Sequence, residues 1–295
     1  MQWRLNRKKY INIFQYPLQA FFHLLCYNPF VICGGDLLSS GRLPVFSAEE
    51  RSVYSLISVS DGIMAKEIAS RLGLSRSSVN HLLFSSALMR ELCFQDGSYR
   101  WHALIRQASV HEGLYEFSGW YSTVREFLDA SENDWFASLQ EGCGRIGRNL
   151  NDTRGLFHSF LDCRAVMISL FRDLSAMSDL PVDDWEIVFE LRINRARMIR
   201  IYADVLVILP GKVFSLEFKM KDTVDPDEVM QAAKYCPYLE VIFGPRYDVF
   251  PALVLTAASD FFDFVPIGGK DRLLPVVSGD MLFNVFNEYL GFLHE

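Results

Sequence analysis

Cysteine pairs with the spacing of metal sites or disulfide frameworks are absent from this sequence. The six cysteines are Cys26, Cys33, Cys93, Cys143, Cys163 and Cys236, and none forms a Cys-x-x-Cys pair with another. Zinc ribbons and small disulfide-stapled folds depend on such spacings, so both are excluded as the basis of this fold. We therefore expect reduced thiols inside a protein core and a cytoplasmic location.

A net positive charge is also missing, which at first argues against a nucleic-acid partner. The formal charge is −7, but it is unevenly distributed along the chain. Residues 1–110 hold 12 basic and 7 acidic residues, a balance of +5, and residues 111–295 hold 17 and 29, a balance of −12. Because Lys and Arg supply most affinity for phosphate, the basic first third fits nucleic-acid contact and the remainder needs local basic patches.

Charged residues are absent from Tyr10 to Gly35, directly after a basic N-terminal segment. A signal sequence or membrane anchor is one interpretation of this stretch. Prolines and polar residues interrupt it, however, and no small-residue cleavage site follows a compact apolar run. We therefore predict a buried helix and an irregular arm over residues 1–45, and no membrane partner.

Glycine-rich phosphate-binding motifs do not indicate a nucleotide. The sequence has no G-x4-G-K-[ST] motif, so no ATPase motor is recognisable. Gly142, Gly144 and Gly147 do spell G-x-G-x-x-G. A dinucleotide site needs that motif between a buried strand and the start of a helix, whereas here it follows a helical pattern. We predict that this segment is a loop without a dinucleotide.

Residues 46–107 are predicted to form three short helices followed by a hairpin. Ser47 and Glu50 have the spacing of a capping box at the start of the first helix. Gly73 ends the second helix, and Ser75 caps the third. The third helix is expected to place Val79, Leu82, Leu83 and Leu88 on one apolar face. Short strands on either side of residues 95–98 then complete the unit.

This order of elements resembles winged helix-turn-helix DNA-binding domains. The resemblance implies that the third helix enters the major groove of DNA. The residues it would present there are Arg76, Ser77, Ser78, Asn80 and His81. Because this helix carries few basic residues, an interface with another protein remains the alternative interpretation.

The second half of the chain is predicted to contain a mixed sheet flanked by helices. Residues 108–150 are predicted to be a helical connector, and residues 151–295 one further domain. The predicted elements there are a helix over Thr153–Met177, strands over Trp185–Leu191, Ile201–Leu209 and Val213–Phe218, a helix over Pro226–Tyr238, a strand over Ala252–Thr256 and a helix over Asp280–Phe292. The expected fold class is therefore α+β/α/β.

Two carboxylates and a lysine lie on neighbouring predicted strands of this sheet. Asp204 is in the second strand, and Glu217 and Lys219 are in the third, with the spacing D-x12-E-x-K across a Pro210-Gly211 turn. Because side chains alternate along a strand, Glu217 and Lys219 share a face, and the hairpin brings Asp204 beside them. Converging carboxylates are typical ligands of Mg²⁺ or Mn²⁺. Such a metal activates water against a phosphodiester, and Lys219 can orient that water.

This pattern resembles the PD-(D/E)XK, or restriction-endonuclease-like, nuclease superfamily. Gln231 and Tyr235 form a Q-x3-Y pair on the next helix, which resembles the RecB-like branch. The resemblance implies that this pair holds substrate or orients the lysine, and that His158 adds a metal ligand to Asp204 and Glu217. Ala203 stands where the family name has a proline.

Further charged residues cluster near the first two strands. Arg192, Arg195, Arg197 and Arg200 form a basic segment without an acidic residue. It predicts either a phosphate clamp or a solvated hairpin that balances nearby carboxylates. Glu186 and Glu190 share parity along the first strand, so one face could add a carboxylate near the metal.

These patterns together predict a metal-dependent deoxyribonuclease with a winged helix that engages DNA. RNA is an alternative substrate. A noncatalytic DNA-binding or assembly protein on a nuclease-like scaffold is a second hypothesis, and a nuclease subunit gated by a partner is a third. A protein partner or a homo-oligomer is therefore also considered. Defence against foreign DNA is one compatible role.

Overall fold

The N-terminal part of the computed structural model consists of helices and one small sheet. The structure describes residues 46–105, 110–148, 153–193, 201–267 and 272–292. The predicted arm over residues 1–45 lies outside this range. The N-terminal elements are α1 (Ala48–Ser58), β1 (Ile63–Met64), α2 (Ala65–Leu72), α3 (Arg76–Ser85), α4 (Ala87–Leu92), β2 (Cys93–Gln95) and β3 (Arg100–Ala103). The three strands form an antiparallel sheet in the order β1-β3-β2.

Short polar side chains define the helix ends of this part. Ser47 and Glu50 form the predicted capping box, and Ser75 Oγ accepts the Ser78 N–H at 3.0 Å. Gly73 ends α2 in the left-handed conformation, at φ 66°. The predicted third helix is interrupted, because Ser86 has extended backbone angles and caps a separate α4 that contains Leu88.

The larger part of the chain is a mixed sheet between helices, as predicted in outline. Its elements are α5 (Val110–Phe117), β4 (Trp120–Thr123), α6 (Val124–Asp129), α7 (Glu132–Ile146), α8 (Thr153–Met177), β5 (Glu186–Arg192), β6 (Tyr202–Leu209), β7 (Lys212–Lys219), α9 (Pro226–Lys234), α10 (Cys236–Phe243), β8 (Asp248–Leu255), β9 (Phe262–Pro266), β10 (Leu273–Ser278) and α11 (Leu282–Leu290), with single 3-10 turns at Val182–Asp184 and Gly279–Met281. The strand order is β4-β5-β6-β7-β8-β10-β9. The pairs β4–β5, β5–β6 and β6–β7 are antiparallel, β8 is parallel to both β7 and β10, and β9 is antiparallel to β10.

Both faces of this sheet are buried. Ile187 and Val207 belong to a core with α7, α8 and α11, whereas Val188 and Leu206 belong to a core with α10. Strands covered on both faces read as apolar runs, which is why the sequence pattern located β5 to β8. The core that contains Val188 and α10 also includes Val53 of α1, so the N-terminal part packs directly on this side of the sheet.

Two local predictions for residues 108–150 are wrong. Trp120–Thr123 is a strand that pairs with β5, with Trp120 opposite Phe189, so this region is not wholly helical. Gly142 and Gly144 lie inside α7 and do not form a loop. Gly147 ends that helix at φ 73°. The glycine motif therefore belongs to a helix and its C-terminal cap.

No helix within the described ranges is long and apolar enough to cross a membrane.

Candidate active site

Strands β6 and β7 bring Asp204 and Glu217 together as the spacing predicted. Val205 pairs with Leu216 in the antiparallel register, so the preceding residue Asp204 lies opposite the following residue Glu217. Asp204 Oδ2 accepts a hydrogen bond from the Phe218 backbone N–H at 3.0 Å. Asp204 therefore lies against the backbone of the segment that carries Glu217 and Lys219.

Glu217 and Lys219 form an ion pair on one face of β7. Lys219 Nζ donates to Glu217 Oε1 at 2.7 Å. The Glu217 side chain is 1% exposed and that of Lys219 is 22% exposed. Glu217 Oε2 is buried, and a hydrogen bond between the Glu217 and Asp204 carboxyls lowers the pKa of Asp204. The buried Glu217 carboxyl thus contacts both Lys219 and Asp204.

Burial and mutual repulsion change the protonation of these groups. Burial raises the pKa of Glu217 to about 8, the charge of Asp204 adds to this, and Lys219 opposes it. Burial also raises the pKa of Asp204. Burial alone would lower the pKa of Lys219, but Glu217 and Asp204 raise it above its ordinary value. The charge of Asp204 thus opposes the ionisation of Glu217, whereas the hydrogen bond with Glu217 favours the ionised form of Asp204. A bound cation would stabilise the charged form of both acids.

A third carboxyl, that of Glu190, lies beside this pair. Phe189 pairs with Val205 and Leu191 with Ala203, so Glu190 and Asp204 face each other across β5 and β6. Burial, followed by the charge of Asp204, raises the pKa of Glu190 to about 8. Its backbone has φ 55°, a left-handed conformation that is rare for such a residue in a strand. The predicted further carboxylate on β5 is therefore close to Asp204.

Glu186, the other candidate on β5, occupies a different environment. Its Oε1 accepts the Tyr121 hydroxyl at 2.7 Å and lies 2.7 Å from His111 Nδ1. Parity along β5 did not distinguish the two glutamates. Two features distinguish Glu190 from Glu186: its positive φ and its ion pair with Arg148, which follows α7. Neither feature can be read from the local sequence of the strand.

Helix α9 brings the predicted Gln231 and Tyr235 pair to the same site. Gln231 Nε2 donates to the Tyr235 hydroxyl at 2.9 Å. Burial and the charges of Glu217, Asp204 and Glu190 raise the pKa of Tyr235. The phenol therefore remains neutral beside the carboxylates and is oriented by the amide.

Other predicted site residues are only partly described. The side chain of His158 and residues 194–200, with Arg195, Arg197 and Arg200, lie outside the described residues. Arg192 Nη1 donates to the carbonyl of Ile146 at 3.3 Å, at the end of α7. Arg192 therefore stabilises a helix terminus next to the site.

The predicted DNA-contacting residues lie on α3, in the N-terminal part. Arg76, Ser78 and His81 are exposed, and Asn80 is partly exposed. His81 Nδ1 is 3.2 Å from Ser85 Oγ. Sequence reasoning did not single out the aromatic residues of this part: Phe84 is 55% exposed and Tyr99, in the hairpin turn, is 74% exposed.

A metal site is not complete in the described part of the chain. No group of three or more His, Cys, Asp or Glu side chains there is arranged to hold a metal ion. Asp204 and Glu217 place two carboxyl groups side by side on adjacent strands. This donor set fits Mg²⁺ or Mn²⁺, which retain several water ligands and use one or two protein carboxylates.

Comparisons with known proteins do not assign a family. No family model and no curated protein matches the chain. Among solved structures, the crystal structure of protein VC1899 from Vibrio cholerae is 11% identical, with a TM-score of 0.23. The match covers 84% of this chain and 58% of VC1899. A likeness at this TM-score carries no argument about fold or activity.

Proposed function

We propose that the protein is a metal-dependent nuclease that hydrolyses phosphodiester bonds of DNA. The observation that carries this proposal is the juxtaposition of Asp204 and Glu217 on adjacent strands, with Lys219 bound to Glu217. The element order α8, β5 to β7, α9 to α10 and β8, with β8 parallel to β7, supports a PD-(D/E)XK core of the RecB-like branch.

Asp204 and Glu217 would hold Mg²⁺ or Mn²⁺ at this position, and His158 is a further candidate ligand. When bound, such a cation acidifies water and neutralises charge on the phosphate. Glu217 is buried and Asp204 is partly buried, and the charge of Asp204 opposes the ionisation of Glu217, which favours capture of a cation.

Lys219 orients the attacking water in this proposal. Its ammonium is fixed by Glu217 at 2.7 Å but remains partly exposed, so it can donate to water and to a nonbridging phosphate oxygen. A positioned donor contributes most when negative charge develops in the transition state. Gln231 and Tyr235 form the wall of the site beside Lys219, a pair of neutral side chains oriented by their mutual hydrogen bond.

The N-terminal part is proposed to be a winged helix that engages DNA. Its order of helices and strands, with the exposed Arg76 and His81 on α3 and the hairpin of β2 and β3, supports this assignment. The exposed Phe84 and Tyr99 favour a protein interface as the alternative use of the same surface.

The test is cleavage of labelled single- and double-stranded DNA and RNA in Mg²⁺, Mn²⁺ or EDTA. Asp204→Asn and Lys219→Gln should abolish metal-dependent cleavage at unchanged secondary structure. Matched controls are Asp248→Asn, an exposed carboxylate at the start of β8, and Lys212→Gln at the opposite end of β7, beside the Phe250 ring. Cleavage that persists in Asp204→Asn would refute the assignment.

A noncatalytic scaffold or a partner-gated subunit is the second candidate. The observation that favours it is that both Glu217 and Glu190 already have a protein cation, Lys219 and Arg148, as partner. DNA binding by the wild type without cleavage of any substrate in any metal would support this candidate over an autonomous nuclease.

A further inference from the structure

Two glycines allow α7 to pack directly against the backbone next to Glu190. A Cβ on Gly142 would overlap the carbonyl oxygen of Gly119, and a Cβ on Gly119 would lie 2.9 Å from Cys143 Sγ and 3.2 Å from Glu190 Cβ. The Gly119 N–H in turn donates to the carbonyl of Phe189 at 2.9 Å. This contact places the C-terminal end of α7 against β5, next to Glu190.

The end of α7 is fixed in this position by its cap. The Arg148 N–H donates to the Cys143 carbonyl at 2.8 Å, and the left-handed conformation of Gly147 allows the backbone to make this turn. Arg192 donates to the carbonyl of Ile146 at 3.3 Å, and the Tyr202 hydroxyl does so at 3.5 Å. The backbone of Arg148 is therefore held by both the helix and the sheet.

The side chain of Arg148 points to Glu190. Its Nε lies 3.0 Å from Glu190 Oε2, and its Nη2 donates to Oε1 at 3.4 Å. The guanidinium carbon lies 4.7 Å from the centroid of the Tyr202 ring. The Arg148 side chain is 32% exposed, whereas that of Glu190 is 3% exposed. The contact of Arg148 Nε with Glu190 Oε2 is an ion pair without hydrogen-bond geometry, so one hydrogen bond, from Nη2, joins the guanidinium to the buried carboxylate. Part of the guanidinium reaches solvent.

A purely structural role explains this arrangement poorly. A buried ion pair contributes little net stability, because removing both charges from water costs about as much as their attraction returns. Glu190 also has a left-handed φ of 55°, and strain of this kind is characteristic of functional sites. Both residues lie beside Asp204, the central carboxylate of the proposed nuclease.

We infer that Arg148 binds a phosphate oxygen of the nucleic-acid substrate at the proposed active site, and that Glu190 is the positioning residue that orients it. The inference rests on the proposed nuclease function. Arginine suits this role because its planar guanidinium can bind a carboxylate along one edge and a phosphate along another. Arg148 and Lys219 would then approach the substrate phosphate from the end of α7 and from β7, on two sides of Asp204.

The experiment measures binding of a fluorescein-labelled single strand and of its duplex by anisotropy in Ca²⁺ across a salt series, and single-turnover cleavage in Mn²⁺. The variants are Arg148→Gln, Arg148→Lys and Glu190→Gln. Arg125→Gln is the matched control, since Arg125 pairs with Asp183 at 3.1 Å on the surface, outside the site. We expect Arg148→Gln to weaken binding about tenfold and to reduce the slope of log affinity against log salt by about one.

Arg148→Lys should retain the salt slope and lose cleavage, because lysine keeps the charge but not the fork geometry. Glu190→Gln should reduce cleavage while keeping the slope, and should add nothing to Arg148→Gln.

Affinity and slope of a folded Arg148→Gln equal to those of Arg125→Gln would overturn the inference. If Arg148→Gln melts below the assay temperature, Arg148→Lys decides: unchanged cleavage overturns the inference. A wild type that neither binds nor cleaves nucleic acid overturns the proposed function as well, which separates the two failures.

Discussion

The N-terminal helices and the centre of the large sheet accommodate polar groups in opposite ways. In the N-terminal part, Ser47 and Ser75 cap helices at the surface, and the interior around Val53 and Leu83 is apolar. On strands β5 and β7 of the sheet, Glu190 and Glu217 are 2% and 1% exposed. Polar side chains in the first region stabilise the fold, whereas those in the second region oppose it.

This contrast indicates that the buried carboxyls around Asp204 lower the stability of the fold and are retained for another reason. Burying a carboxylate costs free energy unless it is well paired, and three carboxyls share the small volume around Asp204. Residues that lower stability are characteristic of binding and catalytic sites.

The largest effect is expected for Asp204→Asn. Cleavage should fall about a thousandfold or more, because several kcal/mol of transition-state stabilisation depend on the cation it would hold. The free energy of unfolding in EDTA at pH 8 should stay level or rise, since the substitution removes the charge that opposes the ionisation of Glu217. Single-turnover kinetics and urea unfolding measure the two quantities. A clear loss of stability would show that Asp204 supports the fold in the same way as the N-terminal caps.

The next effect concerns the glycines of α7. Gly142→Ala should lower the free energy of unfolding by about 3 kcal/mol or more, because the added Cβ overlaps the Gly119 carbonyl and the backbone must move. Gly144→Ala is the matched control, since nothing lies within 4 Å of its added Cβ. It should raise stability by about 0.5–1 kcal/mol through helix propensity. Equal effects of the two changes would contradict the close contact of α7 with the sheet.

A smaller effect is expected from pH in the absence of metal. Glu217 and Glu190 have a pKa of about 8 in the folded protein against an ordinary value of 4.5. Between pH 4.5 and about pH 8 the folded protein therefore holds more protons than the unfolded chain. The free energy of unfolding falls as pH rises through this range. The slope is at most about 1.4 kcal/mol per pH unit for each extra proton. Urea unfolding between pH 5 and 8 should show a flatter slope in Glu217→Gln, and an unchanged slope would contradict the assignment.

The smallest effect is expected in the N-terminal part. Ser75→Ala should lower the free energy of unfolding by about 1 kcal/mol, because the Ser78 N–H loses its cap. Ser77→Ala, an exposed position in the same helix, should change it little. Cleavage of a short oligonucleotide should be unaffected by either change. A strong loss of cleavage in Ser75→Ala would mean that the helix caps of the N-terminal part contribute to catalysis as well as to stability.

Features that depend on neighbouring residues could be predicted from the sequence. The capping box at Ser47, the C-terminal cap at Gly73 and the limits of α8 follow from local patterns, and the structure has them. The proximity of Glu217 and Lys219 follows from strand alternation. The catalytic and DNA-binding roles of these residues remain predictions.

Features that depend on distant residues could not be predicted. The β4 strand is only four residues long and pairs with β5 across α6 to α8. The insertion of β10 between β8 and β9 is a long-range pairing without a local signal. Glu190 and Arg148 are 42 positions apart, and long-range contacts such as the packing of Gly142 on Gly119 bring them together.

The apolar contact between the N-terminal part and α10 has a further consequence for cooperativity. Val53 and Ile57 of α1 share one core with Leu239 and Ile242 of α10, and Arg51 lies 3.5 Å from Glu240 at its edge. Because α10 continues directly from the helix that carries Gln231 and Tyr235, local unfolding of α1 would remove support from the wall of the site. The two parts should therefore melt in a single transition, and a ligand that binds either one would protect the amide protons of both from exchange.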